Sequence, residues 1–212
     1  MALNKIADKI EQAKTDYMEG VYKASEKGKA EIATINNDRD HSSSWMEEQA
    51  RALVERYETD RAEKAAAVAA SLETLYAEGL EAAAGVLSRQ PTPGEAAYLQ
   101  AFMMKHSVTL SDVEQAKKAL KGSAVASAAM YERALDKGVK ADGGVPGYLF
   151  VTEMGERCLN EDKQYLASFG AARKNGMGSV YSFTCDSIQA AMRMKMTANE
   201  FTNALRAVAE FE

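Results

Sequence analysis

The most constraining feature of this 212-residue chain is the placement of its prolines, which occur only at positions 91, 93 and 146. Proline inside a helix removes a backbone hydrogen bond and clashes with the preceding turn, so the first ninety residues can form long helices. Within that stretch Leu3, Ile6, Ile10, Ala13 and Tyr17 recur at alternating spacings of three and four residues. This spacing is typical of a helical seam and predicts one helix over residues 3–35.

A second long helix is predicted over residues 45–88, after the polar break at 36–43. Ser44 and Glu47 have the spacing of a capping box at its start. Its apolar stripe includes Leu53, Tyr57, Leu72 and Leu75. Two arrangements fit these helices equally: an antiparallel hairpin within one chain, or a parallel coiled coil between chains with 36–43 as a hinge.

Residues 91–212 contain shorter helical patterns with start and stop signals, and they predict a compact helical body. Gly138 is expected to end a helix over 125–137, and the glycine-rich loop near 143–147 places a possible sub-boundary at 139–147. The predicted fold is all-α, with a long N-terminal helical hairpin or coiled-coil arm (1–90) followed by the body (91–212). Further helices are expected at 162–174 and 184–196 and at the C-terminus, and three further capping boxes are Thr92–Glu95, Ser111–Glu114 and Thr197–Glu200.

Composition and charge narrow the class of partner. The chain has 38 Ala, but only 31 Ile, Leu and Val and 6 Phe, so narrow apolar stripes are expected rather than one thick core. The net charge of −5 arises from the first ninety residues, whereas phosphate contacts need clustered Lys and Arg, so nucleic acid is not expected as a partner. No apolar leader or membrane-length apolar stretch is present, which favours a cytosolic origin without a membrane partner.

No motif predicts catalysis, a cofactor or a metal ion. His41 and His106 have no metal-binding spacing, and Cys158 and Cys185 are expected to behave as small buried hydrophobes. We therefore expect a protein that is not an enzyme. An enzyme with an unfamiliar site would need a pocket with convergent polar groups.

The segment RQPTPGEAAYLQ at 89–100, with Ser107-Val108-Thr109, Glu114 and ALKG at 119–122, resembles a segment in structural-gene-cluster proteins of tailed phages and prophages of Gram-positive bacteria. Those proteins often carry a long charged helical arm before it. The resemblance covers about 50 residues of this chain. It implies a role in virion structure or head assembly, located in the host cytoplasm or the virion.

The expected function is therefore assembly of a phage or prophage particle through helical contacts with copies of itself or with another phage structural protein. The alternative is a soluble inhibitor or counter-defence protein that binds a host protein or sequesters a ligand. The methionines at 192, 194 and 196 either fill a core or form an adaptable surface. The candidate interaction residues are Ile6, Ile10, Tyr17, Leu53, Tyr57, Leu72, Leu75, Tyr76, Met192, Met194 and Met196; the same stripe would equally pair the two arm helices within one chain.

Overall fold

The computed structural model describes residues 2–141, 144–171 and 200–212, and every regular element in them is a helix. The prediction of an all-α fold, with two long N-terminal helices followed by shorter ones, is confirmed. The helices are α1 (Ala2–Asn36), α2 (Ser43–Leu87), α3 (Pro93–Met103), α4 (Leu110–Ala119), α5 (Ala124–Asp136) and α6 (Tyr148–Ala171), with a further helical segment at 200–209.

The chain divides into two compact units. Unit 1 comprises Met1–Asp8, Tyr76–Glu156 and Glu200–Glu212, and unit 2 comprises Lys9–Leu75 and Arg157–Asn199. These units cut across the linear division into 1–90 and 91–212, because the start of α1 and the end of α2 pack with residues of α6 and of the C-terminal segment in unit 1.

Helices α3, α4 and α5 form a three-helix module within unit 1. Thr92 and Glu95 make the predicted capping box, with Pro93 in the first turn, and Gly138 has the expected positive φ of 76° after α5. The predicted Ser111–Glu114 box is wrong: Thr109 caps α4 and pairs with Asp112. The module encloses a small core of buried residues: Phe102, Val108, Val113, Ala116, Leu120, Ala126, Met130 and Ala134.

A second apolar cluster in unit 1 centres on Phe201. The Phe201 ring stacks on Tyr76 with centroids 4.6 Å apart. A Cβ atom at Gly155 would lie 2.9 Å from Phe201, and one at Gly79 would lie 3.0 Å from Leu205. Both glycines therefore allow the helices to pack closely around this ring, because a side chain at either position would occupy the space.

In unit 2, α1 and α2 pack antiparallel within one chain. Glu31 Oε2 accepts a hydrogen bond from Arg56 Nη2 at 2.7 Å, and the Tyr57 ring lies 3.6 Å from where a Gly28 Cβ would stand. Of the two arrangements left open by the sequence, the structure has the intrachain hairpin. The predicted cap at Ser44 is wrong, because the helix begins at Ser43 and the Ser42 hydroxyl accepts from the Trp45 N–H at 3.3 Å.

The connection between α1 and α2 is organised by polar contacts. The two carboxylate oxygens of Asp38 accept from the Asp40 N–H at 2.9 Å and contact His41 Nδ1 at 3.0 Å. These hydrogen bonds hold the pKa of Asp38 below its usual value, and the bond from the Asp40 N–H has the largest effect. The His41 ring then stacks on Trp45 at 3.9 Å, so the polar break is an ordered turn.

Candidate functional site

A cavity of about 530 Å³ lies between α1 and α2 in unit 2. This volume is within the range of small-molecule sites in proteins. Small side chains on both helices leave the space open, because they hold the helices at packing distance without filling the gap. The apolar and glycine lining consists of Ala13, Gly20, Val21, Ala24, Ala67 and Val68.

Three residues that line the cavity have buried hydroxyls with no hydrogen-bond partner in the described part of the chain: Tyr17, Ser25 and Tyr57. Tyr17 is 6% exposed and Ser25 is 4% exposed. A buried hydroxyl without a partner costs about 1–3 kcal/mol, so three at one cavity are an unusual concentration of unmet bonding capacity.

Arg61 supplies positive charge to the same cavity, where its side chain is half-buried. Burial lowers the pKa of the Arg61 guanidinium, which nevertheless stays charged at neutral pH. Burial also raises the pKa of Tyr17, against the opposing effect of Arg61. Tyr17 therefore keeps its proton and can donate a hydrogen bond. The other charged lining residues, Asp16, Asp60 and Lys64, are exposed at the rim.

A buried ion pair joins α1 to α6 in the core of unit 2. Lys14 Nζ lies 2.5 Å from Asp162 Oδ2, and the two side chains are 0% and 1% exposed. Burial lowers the pKa of Lys14, and Asp162 opposes that shift. Cys158, which is also fully buried, lies near the pair. This arrangement fixes how the two helices meet, because each charge needs the other in a dry core.

Unit 1 exposes a run of three large apolar residues at the start of α6. Tyr148, Leu149 and Phe150 are 53%, 70% and 51% exposed. Consecutive helical residues point about 100° apart, so no single neighbouring helix could cover all three. Contiguous exposed apolar residues of this kind mark interaction surfaces more often than isolated ones do.

The stripe residues predicted as interaction contacts fall into three groups. Ile10, Tyr17, Leu72 and Tyr76 are buried within the chain, so they serve the intrachain packing that the same stripe also predicted. Met192, Met194 and Met196 lie outside the described residues, as do the predicted helix at 184–196 and Thr197. The remaining four are half-buried, and their contact with a partner stays a prediction: Ile6, Leu53, Tyr57 and Leu75.

The residues considered for catalysis are dispersed. His41 belongs to the α1–α2 turn, His106 is exposed after α3, and Cys158 is buried as expected. No group of three or more His, Cys, Asp or Glu side chains among the described residues could hold a metal ion. None of the helices described here combines the length and the apolarity needed to cross a bilayer.

The sequence reasoning missed the ion pair, the cavity and the exposed run. Lys14 follows Ile10 by four residues and precedes Tyr17 by three, so the seam spacing itself contained the signal. Because lysine is rarely buried, the neighbouring Ala13 was expected in the helical seam instead of Lys14. Tyr148 to Phe150 are consecutive apolar residues in the sequence, which does not by itself show whether they are covered.

The cavity places hydrogen-bond donors and a cation beside an apolar wall, which suits binding. Among the described residues, no base is within hydrogen-bond distance of the three buried hydroxyls. Comparisons of the chain with family models, with curated protein sequences and with solved structures give no significant match.

Proposed function

We propose that the chain is a non-enzymatic assembly protein of a phage or prophage particle that acts through helical protein–protein contacts. The observation that carries the proposal is the exposed apolar run Tyr148–Leu149–Phe150. The resemblance of the segment that includes residues 89–122 to phage structural-gene-cluster proteins supports the particle context and a location in the host cytoplasm or the virion.

The run is a suitable contact for a second copy of the chain. It begins directly after the loop at 144–147, and the first helical bond is from Val151 N–H to the Gly147 carbonyl at 3.1 Å. The three exposed side chains lie in the first helical turn, where they can pack against an apolar surface of a second copy. Val151, the next residue, is fully buried and anchors the turn.

Light scattering over a range of concentrations tests this function. The wild-type mass should rise with concentration, and the triple variant Tyr148→Ser, Leu149→Ser, Phe150→Ser should remain a monomer. A matched control replaces three other exposed apolar residues of unit 1, Met104→Ser, Leu110→Ser and Leu135→Ser, and should associate like the wild type. A wild-type monomer at every concentration, or equal loss in both variants, would contradict the proposal.

The second candidate function is a soluble inhibitor that sequesters a ligand. The cavity between α1 and α2 favours it, because a ligand-sequestering protein needs a cavity of small-molecule size and an assembly protein does not. Association through the exposed run and binding in the cavity have separate readouts, so each function is tested without the other.

A further inference from the structure

The cavity of unit 2 has the features of a ligand site rather than of a packing defect. A packing defect in a core is apolar throughout and stays dry. Here the wall is apolar, but Tyr17 and Ser25, both more than nine-tenths buried, bring hydroxyls that meet no hydrogen-bond partner among residues 2–141, 144–171 and 200–212. The cavity volume of about 530 Å³ exceeds by far the space that one water molecule needs.

The charges around the cavity indicate the sign of the ligand. Asp16, Asp60 and Lys64 are exposed at its rim, where water screens them. Arg61 also lines the cavity and is half-buried, and its field is therefore less screened than theirs. The guanidinium and the protonated Tyr17 hydroxyl both donate hydrogen bonds, which an anionic oxygen accepts best.

We propose that the cavity between α1 and α2 binds a small organic anion, with its apolar body against the alanine and valine wall and its acidic group toward Arg61, Tyr17 and Ser25. This inference stands apart from the proposed assembly role, because it concerns unit 2 and the exposed run belongs to unit 1; it names the class of ligand for the second candidate function. The class includes aromatic and aliphatic carboxylates and sulfonates.

Two fluorescent probes separate the apolar requirement from the charge requirement. Anilinonaphthalene sulfonate and the uncharged N-phenylnaphthylamine share one aromatic skeleton and differ by the sulfonate. We expect the full chain to bind one sulfonate probe saturably and to bind the uncharged probe about tenfold more weakly, a difference of about 1.4 kcal/mol. Absence of saturable binding, or equal affinity for both probes, would overturn the proposal.

Gly20→Leu is the blocking variant. A Cβ at Gly20 meets no atom within 4 Å, so the leucine can enter the cavity without a backbone clash, and replacement of a helical glycine supports folding. The matched control is Gly85→Leu, because Gly85 is also helical and open but does not line the cavity. We expect Gly20→Leu to lower the affinity for the sulfonate probe at least about tenfold relative to Gly85→Leu. Equal affinity in the two variants would refute binding in this cavity.

Arg61→Gln tests the assigned charge. It should lower the affinity for the sulfonate probe by about tenfold and leave the affinity for the uncharged probe unchanged, because only the anion accepts hydrogen bonds from the guanidinium. Unchanged binding of the uncharged probe also shows that the variant keeps its cavity. Equal weakening of both probes would contradict the assignment of an anion.

Discussion

The buried Lys14–Asp162 pair makes a quantitative prediction about the stability of unit 2. The two charges meet at 2.5 Å with 0% and 1% of their side chains exposed. Removal of one member of a buried pair costs about 3–5 kcal/mol, because the other charge stays in the dry core. Asp162→Leu should therefore lower the free energy of unfolding by that amount, whereas the double variant Lys14→Met, Asp162→Leu should recover most or all of it.

Unfolding by urea, followed through tryptophan fluorescence, measures this effect. Trp45 is the only tryptophan of the chain and belongs to unit 2, so its emission reports on the unit that contains the pair. A matched control breaks an exposed pair of the same unit: Lys163 Nζ lies 3.1 Å from Glu73 Oε2, with 39% and 61% of the side chains exposed. Lys163→Met should cost less than about 1 kcal/mol.

The pH dependence gives a second reading of the same site. Burial already lowers the pKa of Lys14 against the opposing effect of Asp162, so Asp162→Leu should lower it further. Between that depressed folded value and the ordinary value of 10.5, the unfolded chain binds more protons than the folded chain. The stability of Asp162→Leu should therefore rise with pH in that window.

The reasoning about the buried pair is refuted if Asp162→Leu lowers the free energy of unfolding no more than Lys163→Met does and the double variant is no more stable than the single one.

Two further predictions concern unit 1. Its three-helix module should lose stability as the pH falls from about 4 to about 2, because the ion pair with Lys105 holds the pKa of Asp112 at about 2 against an ordinary 3.8; Asp112→Asn should flatten this dependence in thermal melts followed by circular dichroism, and an unchanged slope would count against it. Gly155→Ala should cost about 1–3 kcal/mol in thermal unfolding, because its methyl group would lie 2.9 Å from Phe201. Gly85→Ala, which meets nothing within 4 Å, should stabilise by about 0.5–1 kcal/mol, and equal effects would contradict the close approach.

The helical fold was predictable because its signals are local. Three predictions rest on signals that act within a few residues. They are the long helices allowed by the absence of proline before residue 91, the Thr92–Glu95 capping box and the helix end at Gly138, and all three are confirmed. Competing caps were not resolved by the same rules. Thr109 and Ser111 both precede an acidic residue by three positions, and the helix begins directly after Thr109.

The candidate site depended on long-range packing and was therefore not predictable. Lys14 is acceptable in a core because Asp162, far along the chain, pairs with it. The cavity arises because small residues of two helices face the same space. The composition shows the alanine excess, but it does not show where space remains between the helices. Tyr17 and Tyr57 were selected for the right region, but as partner contacts rather than as the wall of a cavity.

The intrachain pairing of α1 and α2 is the central claim, because the cavity and the burial of the stripe both depend on it. Glu31 and Arg56 meet at 2.7 Å across the hairpin, so the Arg56→Lys variant can be joined to Glu31 by a carbodiimide without a spacer. Light and heavy-isotope chains are unfolded together, refolded, crosslinked and digested for mass spectrometry. The account predicts that every crosslinked 31–56 peptide pair is wholly light or wholly heavy; mixed light–heavy pairs would show an interchain coiled coil and contradict it.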